Sequence, residues 1–184
     1  MRRTILLSLL FLPFLVFSQG NNKKSTINWI SLENAKEYSE KYNQKILIYF
    51  YKHNCEYCEK MQKETLNDIN IINLINNNFL PVKIDSRTKD TIEYNGKKYT
   101  NQQPESSGRH DWRHDFYAEV TSFKQNNKDV STTPSIVIFN SKFQKIKVLP
   151  GIQSKPQLLR SLNKIINLVE DRLISQYRLS ENEE

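Results

Sequence analysis

The sequence predicts an α/β domain, in which helices and strands alternate and pack as layers. Three observations carry that expectation. Segments with helical spacing alternate with short runs of β-branched and aromatic residues, beginning with SLENAKEYSEKYN and KILIYFY. A CxxC pair, Cys55 and Cys58, follows the first of those runs and opens the next helical stretch. Late in the chain, STTPS leads into a second apolar strand pattern, SIVIFN.

Before the domain, MRRTILLSLLFLPFLVFS sets two arginines ahead of an apolar run broken only by Ser8 and Pro13. This reads as a secretory signal peptide over 1–18, followed by a polar linker over 19–28. The run is shorter than the ~20 apolar residues of a membrane span, and no cysteine stands just after the expected cleavage point for lipid attachment. The expectation is a soluble exported chain starting near Gln19, with an uncleaved anchor or a buried N-terminal helix as the alternatives.

In the domain, assigned to 29–177, Leu32, Ala35, Ser39 and Tyr42 share one helical face, with Ser31 as N-cap. KILIYFY is a short buried strand. EYCEKMQKETLN then continues as a helix, with Tyr57, Met61 and Leu66 at apolar positions, so the CxxC sits at a strand-to-helix junction. A second helix from Ile69 to Asn76 leads to the strand FLPVKID. An insertion over 86–128 opens on IEYNGKKYT, where Asn95-Gly96 between alternating residues signals a type I′ hairpin. Trp112, Phe116, Val120 and Phe123 fall at helical spacing and are expected in the core. SIVIFN and FQKIKVLPG are close enough in sequence to pair antiparallel. The last helix begins in SKPQLL, where Ser154 and Gln157 match a capping box and Pro156 suits the first turn. Leu158, Leu159, Leu162, Ile165, Ile166 and Val169 form its apolar face, and 178–184 is an acidic tail.

Composition narrows the function. The formal charge of +7 over 184 residues falls to +5 without Arg2 and Arg3, since 27 Lys and Arg become 25 against 20 Asp and Glu. The basic residues are spread out, and no Lys/Arg block with interleaved aromatics suggests a nucleic-acid groove. Two cysteines three positions apart close too small a loop to constrain the chain, which makes stabilisation a poor reason for them. A CxxC can also supply half of a zinc or iron–sulfur site, but the chain has no second one with which to complete four ligands.

Redox chemistry explains the pair better. At a helix N-terminus a thiolate is stabilised by the dipole and by free backbone N–H groups, and its pKa can fall from ~8.5 to ~3.5–7.5. Cys55 is expected to be the exposed, attacking thiol and Cys58 the resolving one tucked behind it. A proline before a buried strand cannot donate to a ladder, so Thr133-Pro134 is the candidate for a cis bond. His53 is placed to share a proton with Cys55, or is a solvated loop residue. His110 and His114, spaced i and i+4 with Asp111 or Asp115 nearby, could meet a metal only as a weak site, and none is assigned. Tyr57 is an exposed rim residue able to contact substrate.

The order of these motifs resembles the thioredoxin superfamily, and within it the exported proteins of the SoxW and thioredoxin-2 type. CEYCEKM, VKID, NGKKYT, TTPSIVIF and LPG carry the likeness, which covers Trp29 to Val169. It implies a thioredoxin fold: a central mixed sheet flanked by helices, with the hairpin-containing insertion before the cis-proline loop. It implies that Cys55 and Cys58 are the redox pair, that Pro134 faces them, and that Thr133 offers its backbone to a substrate strand. The sequence departs from the family at Asn54, where a tryptophan is common, and at Tyr49, where a buried aspartate takes the resolving thiol's proton. Proton handling would fall to water, Glu59, Lys52 or His53. Glu56 beside Cys55 disfavours its thiolate and points to a reductant. The implied function is an extracytoplasmic, periplasmic thiol–disulfide oxidoreductase. It would be monomeric and without cofactor, acting on protein disulfides and drawing electrons from a membrane donor of the DsbD or CcdA kind. The rival is a non-enzymatic thioredoxin-fold binding module that uses the CxxC and histidines to carry a metal or capture a partner, with the insertion as its recognition surface.

Overall fold

The computed structural model describes residues 25–107 and 112–181. The expected signal peptide, residues 19–24 of the linker, His110, Asp111 and residues 182–184 lie outside the described residues, as does the side chain of Val169. Among the described residues no helix is long and apolar enough to cross a membrane.

Helix α1 (Leu32–Tyr42) starts at the expected cap, with Ser31 Oγ accepting the Asn34 N–H at 3.1 Å. Leu32, Ala35 and Ser39 are buried, but Tyr42 is 58% exposed. Tyr42 is the last residue of the helix and lies against Tyr38 and the Lys41 ammonium instead of the sheet. Asn43 ends the helix in the left-handed region, which asparagine tolerates better than most residues. Strand β1 (Lys45–Tyr51) follows, buried from Ile46 to Phe50. Helices α2 (Glu56–Glu64) and α3 (Ile69–Asn78) lead to β2 (Phe79–Asp85).

The main sheet is completed by β7 (Ser135–Phe139) and β8 (Lys145–Pro150), in the order β2-β1-β7-β8. β1 and β2 are parallel, and β7 runs antiparallel to both β1 and β8, so the sheet is mixed. Pro81 is tolerated because β2 is the edge strand. The carbonyl of Pro81 accepts the Ile30 N–H at 2.9 Å, which partly covers that edge.

Alternation along β1 builds two cores. Leu47 and Tyr49 face α2, α3 and the last helix, α5 (Lys155–Glu181), where Met61, Ile71 and Leu162 pack. Ile46, Ile48 and Phe50 face α1 and the insertion. The α5 capping box is half formed: Gln157 Oε1 accepts the Ser154 N–H at 3.0 Å, and Ser154 Oγ donates to the same oxygen.

The insertion holds two hairpins. In β3 (Ile92–Tyr94) and β4 (Lys97–Tyr99) the joining Asn95 and Gly96 have φ of 51° and 72°, both positive as a type I′ turn requires. Helix α4 (Asp115–Thr121) contributes Phe116, Tyr117 and Val120 to the second core. The expected helical run is shorter than its spacing suggests. Phe123 belongs to a second hairpin, β5 (Phe123–Gln125) and β6 (Lys128–Val130), and Trp112 precedes α4 and is 50% exposed.

Candidate active site

After β1 the chain turns through Lys52, His53 and Asn54, and Asn54 takes a left-handed φ of 52°. That turn delivers Cys55 to the N-cap of α2. Cys55 Sγ accepts the Cys58 N–H at 3.2 Å, and its carbonyl accepts the N–H groups of Cys58 and Glu59, both at 3.0 Å. A helix N-terminus thus converges on this sulfur, which favours its thiolate when the pair is reduced. Cys55 and Cys58 form a disulfide, with Cα atoms 5.2 Å apart. The Thr133-Pro134 bond is cis, and the Thr133 carbonyl oxygen lies 3.9 Å from Cys55 Sγ.

The expected contrast in exposure is absent from the disulfide form, in which Cys55 and Cys58 are each 5% exposed. The Thr133–Pro134 loop stands over one side of the pair. On the other side an open groove reaches Cys58, lined also by Tyr49, Lys52, His53, Glu59 and Lys83. Tyr49 stands beside Cys58 and donates its hydroxyl to the Cys58 carbonyl at 3.3 Å. Burial and the neighbouring Tyr51 push the Tyr49 phenol up to about 12, so it stays protonated at neutral pH. At the groove's rim His53 Nε2 is 3.3 Å from Asp85 Oδ2, and the His53 ring meets Tyr51 edge-on at 5.7 Å. Lys83 lies over the Tyr51 ring at 4.5 Å. Burial and the Asp85 carboxylate raise the Tyr51 phenol as well.

The structure brings Cys55, Cys58, Thr133 and Pro134 together, and it puts His53, Lys52 and Glu59 on the Cys58 groove. Tyr57, one residue before Cys58 on the first turn of α2, is 62% exposed. His114 stands elsewhere, as the N-cap of α4. Its Nδ1 accepts the Phe116 N–H at 3.1 Å, and its Nε2 donates to the Asp90 carbonyl at 2.9 Å. Both nitrogens are committed within the fold, and burial holds the imidazole below its ordinary range. His114 precedes α4 with extended backbone, and its relation to His110 lies outside the described residues.

Three residues near the disulfide carry no sequence signal of their own. Asp85 reaches His53 because parallel pairing sets it opposite Tyr51. Tyr117 and Arg113 reach the Thr133 loop from the insertion: the Tyr117 hydroxyl is 2.9 Å from Thr133 Oγ1, and Arg113 Nη1 donates to the Ser131 carbonyl at 2.9 Å. In the sequence Tyr117 reads as one more aromatic of a core helix.

A family model described as a thioredoxin-like domain matches residues 32–166. Among solved structures, the DsbH oxidoreductase is similar with a TM-score of 0.54 and 17% identity, over 83% of this chain and 93% of its own. A thioredoxin from Thermus thermophilus gives a TM-score of 0.51 and 16% identity, over 77% of this chain and 88% of its own. At such identities the likeness is one of fold. No curated protein matches the sequence.

Proposed function

The chain belongs to the thioredoxin-like family, and from that premise we propose that it is a thiol–disulfide oxidoreductase that reduces protein disulfides through Cys55 and Cys58. The observation that supports it best is Cys55 at the N-cap of α2, disulfide-bonded to Cys58 and 3.9 Å from the carbonyl before a cis-proline. In the reduced enzyme the Cys55 thiolate attacks one sulfur of a substrate disulfide. A mixed disulfide forms, and the other substrate sulfur leaves as a thiolate. The Cys58 thiolate then attacks Cys55 Sγ, closes the internal disulfide and expels the second substrate sulfur. Two electrons pass to the substrate, and the two cysteine protons end on its thiols. A dithiol reductant must restore the pair.

Thr133 offers its backbone to an extended substrate segment beside Pro134, and Tyr57 supplies the exposed rim. Tyr49 cannot accept the Cys58 proton, so it leaves by the groove, where His53 with Asp85, Glu59 and Lys52 are the available polar groups. We assign the work to an exported, monomeric protein in the periplasm, made of a single thioredoxin-like domain over 29–177 after a signal peptide, with a membrane donor of the DsbD or CcdA kind. The SoxW and thioredoxin-2 type is the subgroup that its motifs support.

Trapping tests the reading. Cys58→Ser leaves no internal thiol to resolve the intermediate, so it should accumulate dithiothreitol-sensitive adducts with proteins of the exported fraction, whereas Cys55→Ser should not. Equal labelling by both variants, or none by either, contradicts the mechanism.

A further inference from the structure

The insertion over 86–128 reads from sequence as an addition outside the redox motif, yet the segment makes two polar contacts with the loop that would hold substrate. Tyr117 is fully buried in α4. Its ring meets Phe50, on the strand leading to the cysteines, edge-on at 5.4 Å. Its hydroxyl is 2.9 Å from Thr133 Oγ1. Arg113, just ahead of α4, donates to the Ser131 carbonyl at 2.9 Å, and its guanidinium lies 5.3 Å from the Tyr117 ring centroid. The segment is itself anchored to the cysteine-bearing end of the sheet, since the His114 N–H donates to the Ser86 carbonyl and the Ser86 N–H to the Tyr51 carbonyl.

We propose that Tyr117 and Arg113 are positioning residues for substrate. They hold Ser131 to Thr133 so that the Thr133 backbone faces Cys55 and can pair with an extended peptide. The physical argument is one of preorganisation. Ser131 to Pro134 is connecting backbone between β6 and β7 with no ladder of its own, so its shape depends on neighbours. Its partners are few: the Ser135 hydroxyl donates to the Thr132 carbonyl, while buried Thr132 Oγ1 has no partner among the described residues. A buried, ring-anchored phenol offers a hydroxyl fixed in space, and the charged Arg113 adds a stronger bond to a carbonyl two residues away. An extended peptide that binds by main-chain hydrogen bonds needs that backbone already in place, because ordering it at the moment of binding weakens affinity. A small disulfide reagent makes no such main-chain contacts and is indifferent to the loop. The insertion is thereby part of the recognition apparatus for protein disulfides.

This rests on the oxidoreductase reading, and the experiment separates the two. Wild type, Tyr117→Phe, Thr133→Val and the double variant are assayed on insulin and on 5,5′-dithiobis(2-nitrobenzoate), with the redox potential measured for each. Tyr117→Phe removes only the hydroxyl and keeps the ring's packing. KM for insulin should rise about fivefold, the scale of one neutral hydrogen bond, with kcat, the small-disulfide rate and the potential unchanged. In KM for insulin the double variant should match the single ones, because both remove the same bond. Arg113→Gln should raise KM for insulin in the same selective way. An unchanged insulin KM in Tyr117→Phe, equal losses on both substrates, or additive effects in the double variant would overturn the proposal. Wild type inactive on both substrates would instead remove the oxidoreductase reading and the proposal with it.

Discussion

Tyr49 limits where a proton from Cys58 can go. A phenol raised to about 12 and bonded to the Cys58 carbonyl is a lid on one side of that cysteine and no proton acceptor. Cys55 is set apart by the Cys58 N–H on its sulfur. With both cysteines equally buried in the disulfide form, selectivity in the reduced form rests on thiolate stability. Iodoacetamide at pH 6–7 should therefore modify Cys55 roughly tenfold faster than Cys58, the effect of one unit of pKa. Peptide mapping by mass spectrometry reads the ratio, and equal rates would refute the role assignment. Glu56 opposes the helix N-terminus by placing a negative charge beside Cys55. Equilibration with glutathione should give a potential below about −200 mV, and Glu56→His should raise it by about 30 mV. A potential near the strong oxidants, or no upward shift, contradicts a reductant.

At the scale of elements, α4 depends on a neutral histidine cap. His114 can accept the Phe116 N–H only while Nδ1 is unprotonated, and burial lowers its proton affinity in the folded state. The unfolded chain binds that proton near the ordinary value of 6.5, so the cap's contribution is complete above that pH and shrinks as the pH falls below it. Melting temperature should drop from pH 7 to pH 5, and the drop should be smaller in His114→Asn, which keeps a capping acceptor without titrating. Parallel declines in both proteins would remove the cap from the account. The strands β1, β2 and β7 were legible because each is a mainly apolar run, and β8 because KIKVLP alternates polar and apolar residues before a turn. β5 and β6 were not: each is three residues long and mostly exposed, so no apolar alternation marks them. Their one signal is Asn126-Asn127, whose positive φ values of 50° and 61° make a tight turn inside what otherwise reads as polar loop.

Across the whole molecule, the sheet separates two chemistries. One face carries Tyr49, α2, α3 and α5 and backs the disulfide. The other carries α1, the β3–β4 hairpin and α4, and from it Tyr117 reaches round to the Thr133 loop. The cysteines and Thr133-Pro134 could be found in the sequence because each is a contiguous motif. Asp85, Arg113 and Tyr117 could not, because they matter only through contacts between segments far apart in the chain. The claim that joins these parts is that electrons move through Cys55 and Cys58 to a protein disulfide. Insulin reduction with dithiothreitol as the electron source tests it most directly. The account predicts accelerated precipitation of insulin chains with the wild type and only the background rate with Cys55→Ser; equal activity in the two proteins would contradict it.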